Sequence, residues 1–462
     1  MKNSPNRVGV ASVRQSQLPK SPYSRGDVVD KLVCDCLLQA GLGQKNPDAP
    51  LADIIEPHMT VLVKPNWVLH YNKSGLGMEC MVTHPTFILA ALKQLFAAKP
   101  KRVILGDAPI QGCDWEELVT PDFRREVTLL SQSSRVDFVD FRRTILSNGN
   151  LIEGRETNVR DVNRYVLFDL GPDSLLEPIS KPEGRFRVTM YDPSELATTH
   201  HPGRHQYLLC REAFEADVVL SLPKLKTHCK AGLTAALKNL VGLNGNKEYL
   251  PHHRVGGSTW GGDCYPGMAL LKRVAEHCLD MANKNIGQSD NGVWTSRAHR
   301  LLSYHKRIFG DCQIEGSWWG NDTVWRMVLD LNRILLYGRL DGSMAEVAQR
   351  RIWSLTDAVV CGEGEGPLAP TPRLLGMATF SESAPAADMV HAALLRLDPQ
   401  RIPLLREALG RFRWPLVSDR FAVDAHFENR QVSLPQIAKE LGVNAQPPRY
   451  WVGQCEVMGE GR

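Results

Sequence analysis

Between Arg7 and Pro109, short apolar runs alternate with longer segments whose apolar residues recur every three or four positions, and each run stops at a proline or glycine beside a polar side chain. That rhythm predicts a strand at Val8–Val13, a helix at Val28–Ala40 closed by Gly41, and a strand at Thr60–Val63 that breaks at Lys64-Pro65-Asn66-Trp67. A helix over Pro85–Ala98 follows, with Thr83 or His84 near its start and proline in its first turn, then a strand at Arg102–Leu105 ended by Gly106-Asp107. Strands alternating with helices predict an α/β fold with a mostly parallel sheet and flanking helices. The chain has 462 residues, long enough for two lobes, and we expect an N-terminal α/β lobe at 1–265 and a second α/β lobe at 266–462. Near 140–206 periodicity weakens and turn residues such as Asn148-Gly149-Asn150 cluster, which predicts an insertion of loops and short strands.

The densest stretch of chemistry runs from Ala216 to Gly245. Val218–Leu222 suits a buried parallel strand, and Pro223 cannot donate a ladder hydrogen bond, so the strand ends there. Lys224, Lys226, Thr227, His228, Cys229 and Lys230 crowd into the next seven residues. Ala231–Val241 then reads as a helix, with Leu233, Leu237, Leu240 and Val241 on one face and Thr234 and Lys238 one turn apart. Cationic side chains and free backbone N–H groups at a helix start make an anion site. A solvated loop with basic decoration is the plainer alternative.

Further along, a glycine-rich loop at Tyr249–Gly267 carries His252 and His253, and a helix follows near Met268–Ala282. Asn283–Thr295 reads as an exposed linker and Thr323–Tyr337 as another helix. Asp357–Cys361 is a buried-strand candidate broken by Gly362-Glu363-Gly364-Glu365-Gly366-Pro367.

A net charge of +4 with no long basic block argues against a nucleic-acid partner. With no apolar run near eighteen residues and no signal-peptide pattern, we expect no membrane span and a cytoplasmic location. Eleven cysteines, scattered and odd in number, fit neither a disulfide framework nor an iron–sulfur ladder.

In open α/β sheets ligands bind outside the carboxyl ends of the strands. Lys64, Asn66, Thr83, His84, Asp107, Lys224, Lys226, Thr227, Glu363 and Glu365 all sit where expected strands stop, and Asn239 lies beside Lys238. Lysines there suit a carboxylate or phosphate, so a small anionic molecule is the expected partner. His228 is placed for proton transfer, and Asp107 or a glutamate of the 362–366 loop for orienting a partner or binding a metal. Adjacent histidines point in different directions, so at most one of His252 and His253 reaches a given metal.

KPNWV at Lys64, THPTF at Thr83, GDAP at Gly106, the lysine-rich stretch from Leu222, NDTVWRMVLDLNRIL at Asn321 and the loop at Gly362 together resemble the family called domain of unknown function 362. Some members of that family stand beside ferredoxin domains, which implies a separate electron-transfer protein as a partner here. The strand-end histidine and the later histidine–lysine pair are also similar to the lactate racemase family, which uses a nickel-pincer nucleotide. That resemblance implies a nucleotide-derived cofactor on Lys238, a divalent metal held by His252 or His253, and His228 ten residues before the lysine. Thr234, Ala235 and Ala236 stand where the racemases carry a serine and glycines. The expectation is an enzyme, isomerase- or racemase-like or an oxidoreductase, with catalytic His228, Lys238 and Asp107. Its alternative is a non-catalytic protein that binds a metal or an intermediate, for example in cell-envelope assembly.

Overall fold

The computed structural model describes residues 4–13, 18–19, 21–146 and 156–440; the turn expected at Asn148-Gly149-Asn150 lies outside them. An eleven-stranded mixed sheet forms the centre. Its strands are β1 (Arg7–Ser12), β2 (Thr60–Pro65), β3 (Arg102–Asp107), β4 (Arg135–Asp140), β5 (Val218–Leu222), β6 (Lys224–His228), β7 (Gly232–Thr234), β8 (Arg351–Glu365), β9 (Ala369–Ser381), β10 (Asp424–Phe427) and β11 (Arg430–Val432). The order is β11-β10-β1-β9-β8-β5-β2-β3-β4, with β6 pairing to β8 and β7. From β8 through β5, β2, β3 and β4 every pairing is parallel. β9 returns antiparallel to β8 and pairs antiparallel with β1.

The expected boundary at 265/266 cuts across this sheet, because β8 to β11 lie beyond it yet pair with β5 and β1 from before it. Buried β8 completes the hydrogen bonding of β5, so the two halves share one sheet. Within 156–206 the chain forms short strands and turns, including Tyr165–Asp169 paired with Arg204–Cys210.

Helices cover both faces: α1 (Gly26–Gln39), α2 (Pro85–Ala97), α3 (Ala236–Asn239), α4 (Leu270–Lys284), α5 (Asp290–Phe309), α6 (Val324–Tyr337) and α7 (Ala384–Leu394). Successive side chains of β2 go to opposite sides: Val61 and Val63 join α1 and α2 in one apolar cluster, and Leu62 joins α6 and α7 in the other. Both faces are thus buried, as parallel strands require. At the start of α2, Pro85 occupies the first turn and the His84 ring accepts from the Thr86 N–H. Among the described residues no helix is long and apolar enough to cross a membrane.

Four expectations change. Lys224–His228 is a strand, because its lysines find partners inside the protein. The helix expected over Ala231–Val241 shrinks to α3, since Gly232–Thr234 folds back to pair with β6. Gly362–Glu365 continues β8 rather than breaking it, each residue pairing with the segment Ala369–Pro372. The linker at 283–295 ends at Ser289, where α5 begins; its polar surface hid a narrow seam of Asn291, Ala298 and His305.

Candidate functional site

At the carboxyl ends of β2 and β3, the long hairpin of β8 and β9 carries β6 and β7 past the edge of the sheet. The gap between them is a cleft of about 480 Å³. Lys64, Asn66, Asp107, Lys226, His228, Lys238, Asn239, His252 and Glu365 all line it.

Lys64 and Asp107 end adjacent parallel strands and meet as a buried ion pair at 2.7 Å. Asp107 Oδ1 also accepts from Ala108 N–H at 2.8 Å and Oδ2 from Trp67 N–H at 2.7 Å, so both carboxylate oxygens are engaged within the protein. Burial raises the Asp107 carboxyl and lowers the Lys64 ammonium, and their attraction offsets part of each shift. Asn239 ties the arrangement together: its amide N–H groups donate to Lys64 O and Ser221 Oγ, and its oxygen accepts from Lys64 and Asn66. Gly242 closes over the pair, and a Cβ there would overlap the Asp107 carboxylate and the Lys64 ammonium. Asp107, expected to be catalytic, lines the cleft as the ion-pair partner of Lys64.

Alternate residues of β6 share a face. Lys224 is buried, pairs with Asp357 at 2.9 Å and donates to Tyr23 Oη at 2.7 Å. Lys226 donates to Met81 O at 2.6 Å, and burial with Lys238 and Lys224 nearby pulls it down to about 7. His228 reaches the cleft. Its Nδ1 accepts from the backbone N–H of Lys230 at 3.1 Å and of Ala231 at 3.2 Å, so in the neutral ring Nε2 carries the proton. Burial, then Lys238 and Lys230, hold its pKa well below the usual histidine range. His252 has the opposite tautomer: Nδ1–H donates to Leu250 O at 2.7 Å, leaving a lone pair on Nε2. Burial, Lys230 and Lys238 keep it neutral as well.

Lys238 is the exception among these cations. Its ammonium has no hydrogen-bond or ion-pair partner among the described residues, and burial pulls it down to about 8. The Thr234 hydroxyl, 4% exposed and lining the same cleft, is also without a partner. Leaving a buried hydroxyl such as that of Thr234 unpaired costs about 1–3 kcal/mol, which a ligand oxygen would recover.

The anion site expected at the helix start is filled from within. The Asp388 carboxylate accepts from the N–H groups of Ala236 at 2.8 Å and Leu237 at 3.0 Å, and His391 braces it at 2.9 Å. Other expected residues lie outside the cleft. Thr83 bridges the Asn66 N–H and Leu222 O, and His84 stacks on Tyr23 at 3.8 Å while its N–H donates to Asp357. Thr227 donates to Gly364 O, Glu363 pairs with Arg373, and His253 is buried in a short strand beside Arg187. Two further lysines line the cleft, Lys230 from the lysine-rich stretch and Lys247, which was not anticipated. Lys247, held by Ala108 O at 2.8 Å and lowered by burial to about 8, and Lys230, 3.3 Å from Thr189 Oγ1, bring the lysines lining the cleft to five. Lys247 lies two residues past Gly245, and its only signal was continuity with the basic stretch.

Among the described residues, no three His, Cys, Asp or Glu side chains converge to hold a metal. What the arrangement offers is positive charge, a hydroxyl, one imidazole N–H and one imidazole lone pair.

Residues 176–393 match the family described as Domain of unknown function (DUF362). The matched span includes the lysine-rich stretch and His252; the motifs at Lys64, Thr83 and Gly106 lie before it. A thylakoid-associated protein of Synechocystis is 23% identical over 397 residues, covering 84% of this chain and 82% of that protein. A crystal structure of a Thermotoga maritima protein aligns with 81% of this chain at 12% identity and a TM-score of 0.34. This chain spans 59% of that protein, and a likeness so distant carries no argument.

Proposed function

We propose that the cleft binds a small anionic molecule, a carboxylate or phosphate bearer, and moves a proton on it. The carrying observation is a buried, unpaired Thr234 hydroxyl and a half-buried Lys238 ammonium that no hydrogen bond or ion pair holds among the described residues, beside two neutral imidazoles of opposite tautomer. Lys226, Lys238 and Lys247 supply the charge that an anion needs. His228 Nε2–H stabilises negative charge on the reacting oxygen, a task suited to a histidine kept neutral. His252 Nε2 takes the proton, which makes isomerisation or racemisation next to a carbonyl or carboxylate the favoured reaction class. This revises the expected role of His228 from proton carrier to hydrogen-bond donor.

Incubating the protein in deuterium oxide with a panel of short hydroxy and phosphorylated acids tests the reading. Deuterium entering at carbon, seen by NMR and lost in His252→Gln, supports it. Tight binding with no exchange on any member would instead support a non-catalytic protein that holds an anionic intermediate.

A second reading is a nucleotide-derived cofactor linked to Lys238, favoured by the unpartnered amine with its pKa near 8. Intact mass before and after Lys238→Ala separates it from the first. A resident metal fits less well, because His252 offers one lone pair and His253 faces elsewhere. The cytoplasmic location belongs to the same proposal, and the thylakoid relative points instead to a membrane surface. Cell fractionation decides between them.

A further inference from the structure

The hairpin of α4 and α5 is joined along a narrow seam. Asn291 Nδ2 donates to Ala282 O at 2.8 Å near the turn, and Lys272 pairs with Asp311 at 2.5 Å at the far end. At that far end, large apolar side chains face outward: Met268, Leu270 and Val274 from the start of α4, and Tyr304, Ile308 and Phe309 from the end of α5. Leu270 is 73% exposed and Phe309 65%. Leu270 and Val274 lie one turn apart, as do Tyr304 and Ile308, so each pair shares a face. Isolated exposed apolar residues are ordinary, but a group drawn from two adjoining helix ends is not.

The surrounding charge identifies what this surface fits. Arg297, Arg300, Lys306 and Arg307 are exposed along α5, whose one acidic residue is Asp290 at the opposite end. On α4 the carboxylates turn inward, Asp280 to Arg187 and Glu276 to the Gly256 N–H. Exposed apolar side chains with a basic surround match the headgroup boundary of an anionic bilayer. A second copy of the chain would bring like charges together.

We propose that the α4–α5 hairpin docks the protein peripherally on anionic membrane lipid. The inference stands apart from the chemistry of the cleft. The two are nevertheless continuous in the chain, because Gln313, Glu315 and Ser317, just after α5, form part of the cleft wall.

The full chain is sedimented with vesicles of phosphatidylcholine alone and of phosphatidylcholine mixed with phosphatidylglycerol. The expected result is binding to the mixed vesicles, weakened by salt. Arg300→Glu with Arg307→Glu should weaken it by at least roughly fivefold per charge, and Ile308→Asp with Phe309→Asp should also weaken it. Circular dichroism checks that each variant folds, and the exposed arginine positions keep the test available should the apolar pair fail to fold. No preference for the anionic vesicles, or unchanged binding by folded variants, overturns the proposal. So does a dimer in the absence of lipid that the apolar substitutions dissolve.

Discussion

His228 and His252 line one cleft with opposite tautomers. Nδ1 of the first accepts two backbone N–H groups, and Nδ1 of the second donates to the Leu250 carbonyl. One ring therefore presents Nε2–H and the other an Nε2 lone pair. Nitrogen-15 NMR at neutral pH should show His228 protonated at Nε2 and His252 at Nδ1. Neither should gain charge as pH falls through the usual histidine range, since burial and the surrounding lysines hold both well below it. Titration of either ring near its ordinary value would remove the donor–acceptor pair.

Asp107 is a support for Lys64. Asp107→Asn leaves a buried ammonium without its counter-charge, and a loss of about 3–5 kcal/mol of stability is expected. Thermal denaturation checks this, with Lys64→Met combined with Asp107→Asn expected to recover part of the loss. A nearly unchanged melting temperature for the single variant would show that the pair is dispensable.

Stability should rise with pH on the alkaline side. Lys226, Lys238 and Lys247 have folded-state pKa values of about 7, 8 and 8, below the value of about 10.4 for an unfolded lysine. Between those limits the unfolded chain holds more protons, so unfolding becomes less favourable as pH increases from about 7 to about 10. The contribution is fully present above the unfolded value and lost as pH falls through the folded ones. A bound anion that keeps the lysines protonated should flatten the slope. Melting temperatures across that range, with and without phosphate, provide the check.

Asp388 occupies the helix start where an anion was expected. Asp388→Leu leaves the Ala236 and Leu237 N–H groups and the His391 ring without their acceptor. A loss of about 1–3 kcal/mol is expected in chemical denaturation. Lys238, on the same short helix, should lose anion affinity along with it.

The elements of the first half were legible because their apolar periods are clean: β2 alternates between two cores, and α2 carries its proline and histidine start. β6 was not, since four cationic or polar residues in five read as solvated until Asp357, Tyr23 and Met81 O are seen to receive the two lysines. Those partners lie 133 to 201 residues away in sequence. β8 was cut short for a related reason: its glycines suggest a break, and only the pairing with β9 keeps them in the ladder. In the cleft, Lys238, His228 and His252 were readable from local residue type. The tautomers were not, because they depend on which backbone groups each ring meets.

The most direct test of an anion-binding cleft is calorimetric titration of inorganic phosphate and of malonate into the wild-type chain and into Lys238→Gln. At about pH 6.5 at least one anion should bind, with affinity falling as pH passes about 8. Lys238→Gln should weaken it by about tenfold to a hundredfold, the worth of one charged hydrogen bond. Failure of both anions to bind, or equal affinity in Lys238→Gln, would contradict the account.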